Sequence, residues 1–212
     1  MFLNLPSDDQ YVRLASWNLL CALNKAYHLE SARQLRPAPG LYLPPYNTEL
    51  LTSLSRQVSL KAPHLSLDLI EAFLEHFQSY SNAQKEYSLM YLEPWVGQIE
   101  TQLRSETGEF SETSKEIKSV LRAFIKLTYE KPQVYLLLKC SDLQLGWYTH
   151  IWPTIGKSTE LARMLLAELF HYAVDFGFGS QQTEIAARIL LACATVDVQG
   201  QVICRLREVL SQ

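Results

Sequence analysis

The sequence predicts an all-α fold, an antiparallel array of about nine amphipathic helices arranged as a stack of helix pairs or a compact bundle. Three observations carry this reading. Apolar residues recur at helical spacing through most of the chain. Glycine is scarce, at 8 of 212 residues, which suits few hairpin turns. The only β-like run, residues 134–138, has no partner strand. A 48% hydrophobic and 19% charged composition is that of a folded chain with a real core.

The first helix is expected after Ser7-Asp8-Asp9, a capping hydroxyl followed by first-turn acids, and to run to Tyr27. It is apolar on most of its circumference, with Val12, Leu14, Trp17, Leu19, Leu20 and Leu23, so neighbours should cover it on more than one side. Prolines at 37, 39, 44 and 45 then enforce an extended loop around Leu41-Tyr42-Leu43. Asn47 is the expected cap of a helix over 48–60 with Leu50, Leu51, Leu54 and Val58 inward. Pro63 opens the next helix, whose stripe is Leu65, Leu69, Ile70, Phe73, Leu74 and Phe77. Another begins at Asn82, and Pro94 should kink or divide it near Glu93. Residues 104–114 form the expected exposed loop within a single 1–212 segment.

Thr113-Ser114-Lys115-Glu116 fits a capping box, followed by Ile117, Val120, Leu121, Phe124 and Leu127 on one face. Lys115, Lys118, Arg122 and Lys126 fall within roughly 80° on the opposite face. That face is a solvated surface or a docking strip for an acidic partner or anionic lipid, with Glu109, Glu112 and Glu116 near it. A short helix over 134–139 leads to a stretch of helical turns over 140–156, with Trp147, Tyr148, Ile151 and Trp152 tucked onto neighbours. Ser158-Thr159-Glu160 opens a long helix that Gly177 and Gly179 stop, and Ser180 starts the next. A break over 197–200 precedes the last helix.

Chemistry is sparse. There is no Gly-x-x-x-x-Gly-Lys-Ser/Thr loop, no Gly-x-Gly-x-x-Gly turn, no His-x-x-x-His pair and no Gly-x-Ser-x-Gly elbow, so no catalytic, cofactor or metal residue is assigned. Glu71, Glu75 and His76 lack a second ligand pair, and His171 reads as a core or boundary histidine. Cys21, Cys140, Cys193 and Cys204 are far apart and read as buried reduced thiols of an intracellular protein. A net charge of −3 gives no nucleic-acid footprint. No apolar run reaches the ~18 residues of a membrane span. Met1-Phe2-Leu3-Asn4-Leu5-Pro6 lacks the features of a signal peptide, and its abrupt apolar start is read as a beginning inside a longer protein.

Three stretches together resemble the neurofibromin family of large Ras GTPase-activating proteins and its fungal members. They are Leu14-Ala15-Ser16-Trp17-Asn18-Leu19-Leu20-Cys21-Ala22-Leu23, Pro63-His64-Leu65-Ser66-Leu67 with Leu69-Ile70-Glu71, and Tyr91-Leu92-Glu93-Pro94-Trp95. The family has tyrosine where Trp17 stands, Pro-His-Leu-Thr-Leu at the second stretch and Tyr-Met-Thr-Pro-Trp at the third. The likeness continues more loosely over 125–152. It implies a HEAT/ARM-like α-solenoid segment downstream of the catalytic and lipid-binding modules: a cytoplasmic, non-catalytic scaffold. Its implied partners are other domains of the parent and a second copy, with Ras reached only through the parent's catalytic domain. Leu35-Arg36-Pro37-Ala38 superficially resembles the catalytic Phe-Leu-Arg…Pro-Ala motif, but the phenylalanine is missing and the proline is too close. The competing expectation is a peptide- or membrane-docking module using Lys115, Lys118, Arg122 and Lys126 with the 147–152 aromatics.

Overall fold

The structure is a computed structural model that describes residues 4, 9–29, 48–80, 82–105, 112–130, 151–177, 179–193 and 196–210. Among these residues it is all-α, with ten α-helices, two short 3₁₀ turns and no strand. The helices are α1 Gln10–Tyr27, α2 Thr48–Lys61, α3 Ser66–His76, α4 Asn82–Val96 and α5 Ile99–Ser105, then α6 Glu112–Glu130, α7 Ile151–Lys157, α8 Thr159–Phe176, α9 Gln181–Ala192 and α10 Val196–Leu210. The described residues fall into two compact units, 1–98 and 99–212, so the division comes at Gln98 and Ile99, ahead of the 104–114 stretch.

In the first unit α2 and α4 form the main pair, with α3 on α4 and α1 on α2. Leu51, Leu54 and Val58 of α2 are buried, as their spacing requires, against Leu89, Leu92, Trp95 and Val96 of α4. Pro63 sits at the first position of the 3₁₀ turn Pro63–Leu65, which leads directly into α3. The inward face of α3 is Leu67, Ile70, Phe73 and, just beyond the helix, Phe77, with Phe73 and Phe77 rings 5.0 Å apart. Leu65, Leu69 and Leu74 are only half-buried, while Asp68, Glu71 and Glu75 are exposed.

Several local expectations are corrected. The cap of α1 is Asp9, whose carboxylate accepts from the Tyr11 and Val12 amides at 2.8 and 3.2 Å. A carboxylate there both satisfies end amides and complements the positive end of the helix dipole. Only Ser16 and Leu20 of α1 are buried, while Tyr11 is 84% and Leu19 50% exposed, so one narrow face packs. Helix α4 runs through Pro94 and ends two residues later at Val96, and α5 starts at Ile99, so the division expected near Glu93 is present but falls at Gly97 and Gln98. A proline this close to the end forfeits a single ladder bond, and the helix need only tolerate the ring against the preceding turn. Helix α6 starts at Glu112, which places Thr113 inside the first turn, not at a cap. Helix α10 starts at Val196 and continues through Gly200, so the final break lies before 196.

In the second unit α8 is the central helix, packed by α6, α7, α9 and α10. Ser158 caps it, accepting from the Leu161 amide at 3.3 Å, and Gly177 ends it at φ +78°. Ser180 caps α9 in the same way through the Thr183 amide at 3.2 Å. Trp152 is fully buried and meets Phe124 edge-on at 6.3 Å between ring centroids. Its carbonyl accepts from Cys193 Sγ at 3.2 Å. Gly156 lets α7 approach the end of α9: a Cβ there would lie 2.3 Å from the Cys193 carbonyl oxygen. The expected loop around Leu41-Tyr42-Leu43, the Asn47 cap and the 134–139 helix lie outside the described residues, as do Trp147, Tyr148 and Leu35-Arg36-Pro37-Ala38.

Candidate functional site

The basic face of α6 is the only surface the sequence nominated, and its four cations have different surroundings. Lys115 pairs with Glu112 one turn back at 3.0 Å, both exposed. Arg122 makes a two-pronged contact with Glu168 of α8, Nε to Oε2 at 2.6 Å and Nη2 to Oε1 at 3.1 Å. The Glu168 side chain is only 8% exposed, whereas that of Arg122 is 56% exposed. The hydrogen bond it donates to Glu168, then the charge of that carboxylate, pushes the guanidinium further above its usual range. Lys126 is exposed. Lys118 is half-buried at the edge of a groove of about 360 Å³ formed by α6, α8 and α10. The face is therefore not a uniform strip of solvated cations: one member fastens α6 to α8, and another borders a concavity.

Of the aromatic stretch expected beside that strip, Ile151 and Trp152 are described, while Trp147 and Tyr148 lie outside the described residues. Ile151 and Trp152 are both fully buried, so they pack the second unit and present nothing for docking. The histidine and cysteine expectations also need revision. His171 is 69% exposed, with Nε2 3.5 Å from Asp175 Oδ2. Cys193 is buried, and desolvation pushes its thiol up to about 12, but Cys21 and Cys204 are exposed. Cys140 lies outside the described residues. Apolar neighbours in sequence conceal this difference because α1 and α10 each turn one side to solvent. Among the described residues no three His, Cys, Asp or Glu side chains converge to hold a metal, and no helix is long and apolar enough to cross a membrane.

The third stretch of family resemblance does have specific geometry. Trp95 Nε1 donates to Ser55 Oγ at 2.9 Å, and Ser55 Oγ donates to the Tyr91 carbonyl at 2.6 Å. All three residues are buried, and Ser55 belongs to α2, so this relay locks α2 against α4. Buried polar groups need partners, which makes such a relay selective for one helix register. Beside it Arg56 Nη2 approaches Glu93 Oε2 at 3.9 Å. Glu168 and Ser55 escaped the sequence reading: a buried carboxylate and a buried hydroxyl reveal themselves only through partners 46 and 36 positions away.

No protein-family model matches the chain. The chain is similar to the inhibitory regulator protein IRA1 of Saccharomyces cerevisiae (strain ATCC 204508 / S288c), with 21% identity over 208 residues. Those residues are 97% of this chain but 6% of the yeast protein, so the chain spans a small part of the relative it matches.

Proposed function

We propose that this chain is a non-catalytic helical segment of a large neurofibromin-like Ras GTPase-activating protein, a negative regulator of Ras. In that reading it is one stretch of a HEAT-like solenoid that positions the catalytic domain and supports assembly, within the parent or between two copies. The observation that carries it is the likeness to an inhibitory regulator over 97% of this chain and only 6% of the relative. A match of that form suits a structural segment of a much larger chain. Three ordered motifs support the same family, and all three do structural work: α1 packs through Ser16 and Leu20, Pro63 starts the turn into α3, and Trp95 locks α4 to α2. As part of such a regulator the segment would act in the cytoplasm, reaching membranes only with its parent.

A Ras activator needs a positioned cation and polar groups around a transferring phosphoryl group. Arg122 and Arg163 each spend a two-pronged contact on a carboxylate of this chain, Glu168 and Glu160. The test is single-turnover GTP hydrolysis by Ras with and without the purified chain. Acceleration by the chain alone would overturn the reading. Of the competing docking module, one member gains support from its placement, Lys118 at the groove edge.

A further inference from the structure

The groove between α6, α8 and α10 combines three features that a solvated helix face lacks. Its apolar wall comes from Met164, Leu166 and Ala167 of α8. Lys118 borders it and makes no ion pair among the described residues, and Arg163 adds a second cation that it shares with Glu160 at 3.2 Å. Gln201 contributes an amide whose Oε1 is buried and accepts no hydrogen bond within the described structure. From these we infer that the groove docks a short acidic peptide segment, one aliphatic residue flanked by aspartate or glutamate.

Each part of the ligand is read by a different group. The aliphatic side chain lies on the Met164, Leu166 and Ala167 wall, and about 360 Å³ is room for one such side chain with its backbone. A carboxylate pairs with the Lys118 ammonium. The Gln201 amide offers an acceptor and donors side by side, and a peptide bond offers the complementary pair whichever way the amide is turned. An anionic bilayer fits less well. It favours a protruding basic surface with free aromatics, whereas here Lys115 and Arg122 are held by Glu112 and Glu168, and Trp152 is internal. The inference holds whatever the parent protein is, so its failure would leave the scaffold reading intact.

Cys204 also lines the groove and is exposed, which supplies a built-in reporter. In a Cys21→Ser, Cys140→Ser chain, the alkylation rate of Cys204 by iodoacetamide is measured with capped pentapeptide pools. One pool carries Asp or Glu around a central Leu, Ile, Val or Met, and the other carries Lys in place of the acids. The acidic pool at about 1 mM should slow alkylation about threefold, as a site with sub-millimolar affinity would. The lysine pool should not. Lys118→Ala and Gln201→Ala should each weaken protection, and Lys118→Glu should shift preference toward the lysine pool. No slowing, equal slowing by both pools, or protection unchanged in Lys118→Glu would overturn the inference. So would protection by phosphatidylserine vesicles without protection by the acidic pool, which would assign the groove to a lipid surface.

Discussion

Replacing Ser55 by alanine removes one hydroxyl that serves two buried groups. Trp95 Nε1 loses its acceptor at 2.9 Å, and the Tyr91 carbonyl loses a donor at 2.6 Å. Trp95 is 2% exposed and Ser55 fully buried, so water cannot readily replace the hydroxyl. An orphaned buried indole N–H costs about 1–3 kcal/mol, and an ordinary hydrogen bond lost about 0.5–1.5 kcal/mol. The expected destabilisation of the first unit is therefore about 2–4 kcal/mol, a large share of a typical domain's stability. Urea denaturation followed by circular dichroism should show a midpoint lower by ~1–2 M. Hydrogen exchange should speed up in α2 and α4 together. Adding Trp95→Phe to Ser55→Ala removes the orphaned donor, so the double variant should lose about 1 kcal/mol less than the two single losses summed. An unchanged midpoint for Ser55→Ala, or strict additivity of the pair, would refute the claim that this relay fastens α2 to α4.

The second unit yields three further expectations. Gly156→Ala forces a methyl to within 2.3 Å of the Cys193 carbonyl oxygen, backbone that cannot swing aside, and should cost about 1–3 kcal/mol by thermal or urea unfolding. Arg122→Ala strands the nearly buried Glu168 carboxylate and should destabilise by about 1–2 kcal/mol, whereas the Arg122→Ala, Glu168→Leu pair should recover most of the loss. For Cys193 the folded thiol is raised to about 12 from 9.0, so above pH 9 the unfolded chain gives up the proton first. Its contribution is then whole below pH 9 and lost toward pH 12, with a slope of about 1.4 kcal/mol per pH unit that Cys193→Ala should abolish. Mass mapping after alkylation at pH 8 should find Cys21 and Cys204 modified and Cys193 protected until unfolding.

What the sequence disclosed and what it withheld divide along a physical line. Local signals were reliable: Pro63 at a first turn, Ser158 and Ser180 as caps, Gly177 at a positive φ, Leu51, Leu54 and Val58 inward on α2, and the inward face of α6. Periodicity states which residues can share a face but not whether a neighbour arrives to cover it. Tyr11 and Leu19 show this, apolar by type and exposed in α1. The same blindness made Cys21 and Cys204 look internal. Arg122 looked like a free surface cation because its partner lies on another helix, and the groove near Lys118 needed three helices to exist. The proposed function rests on motif order, since no residue pattern in the sequence pointed to a particular reaction.

Under the proposed function this chain supports a Ras regulator without itself accelerating GTP hydrolysis. Single-turnover hydrolysis of GTP-loaded Ras tests it directly. The 212-residue chain at saturating concentration should leave the intrinsic rate unchanged, beside a Ras GTPase-activating catalytic domain as positive control. Acceleration by the chain alone, abolished by substitution of one of its arginines, would contradict the account.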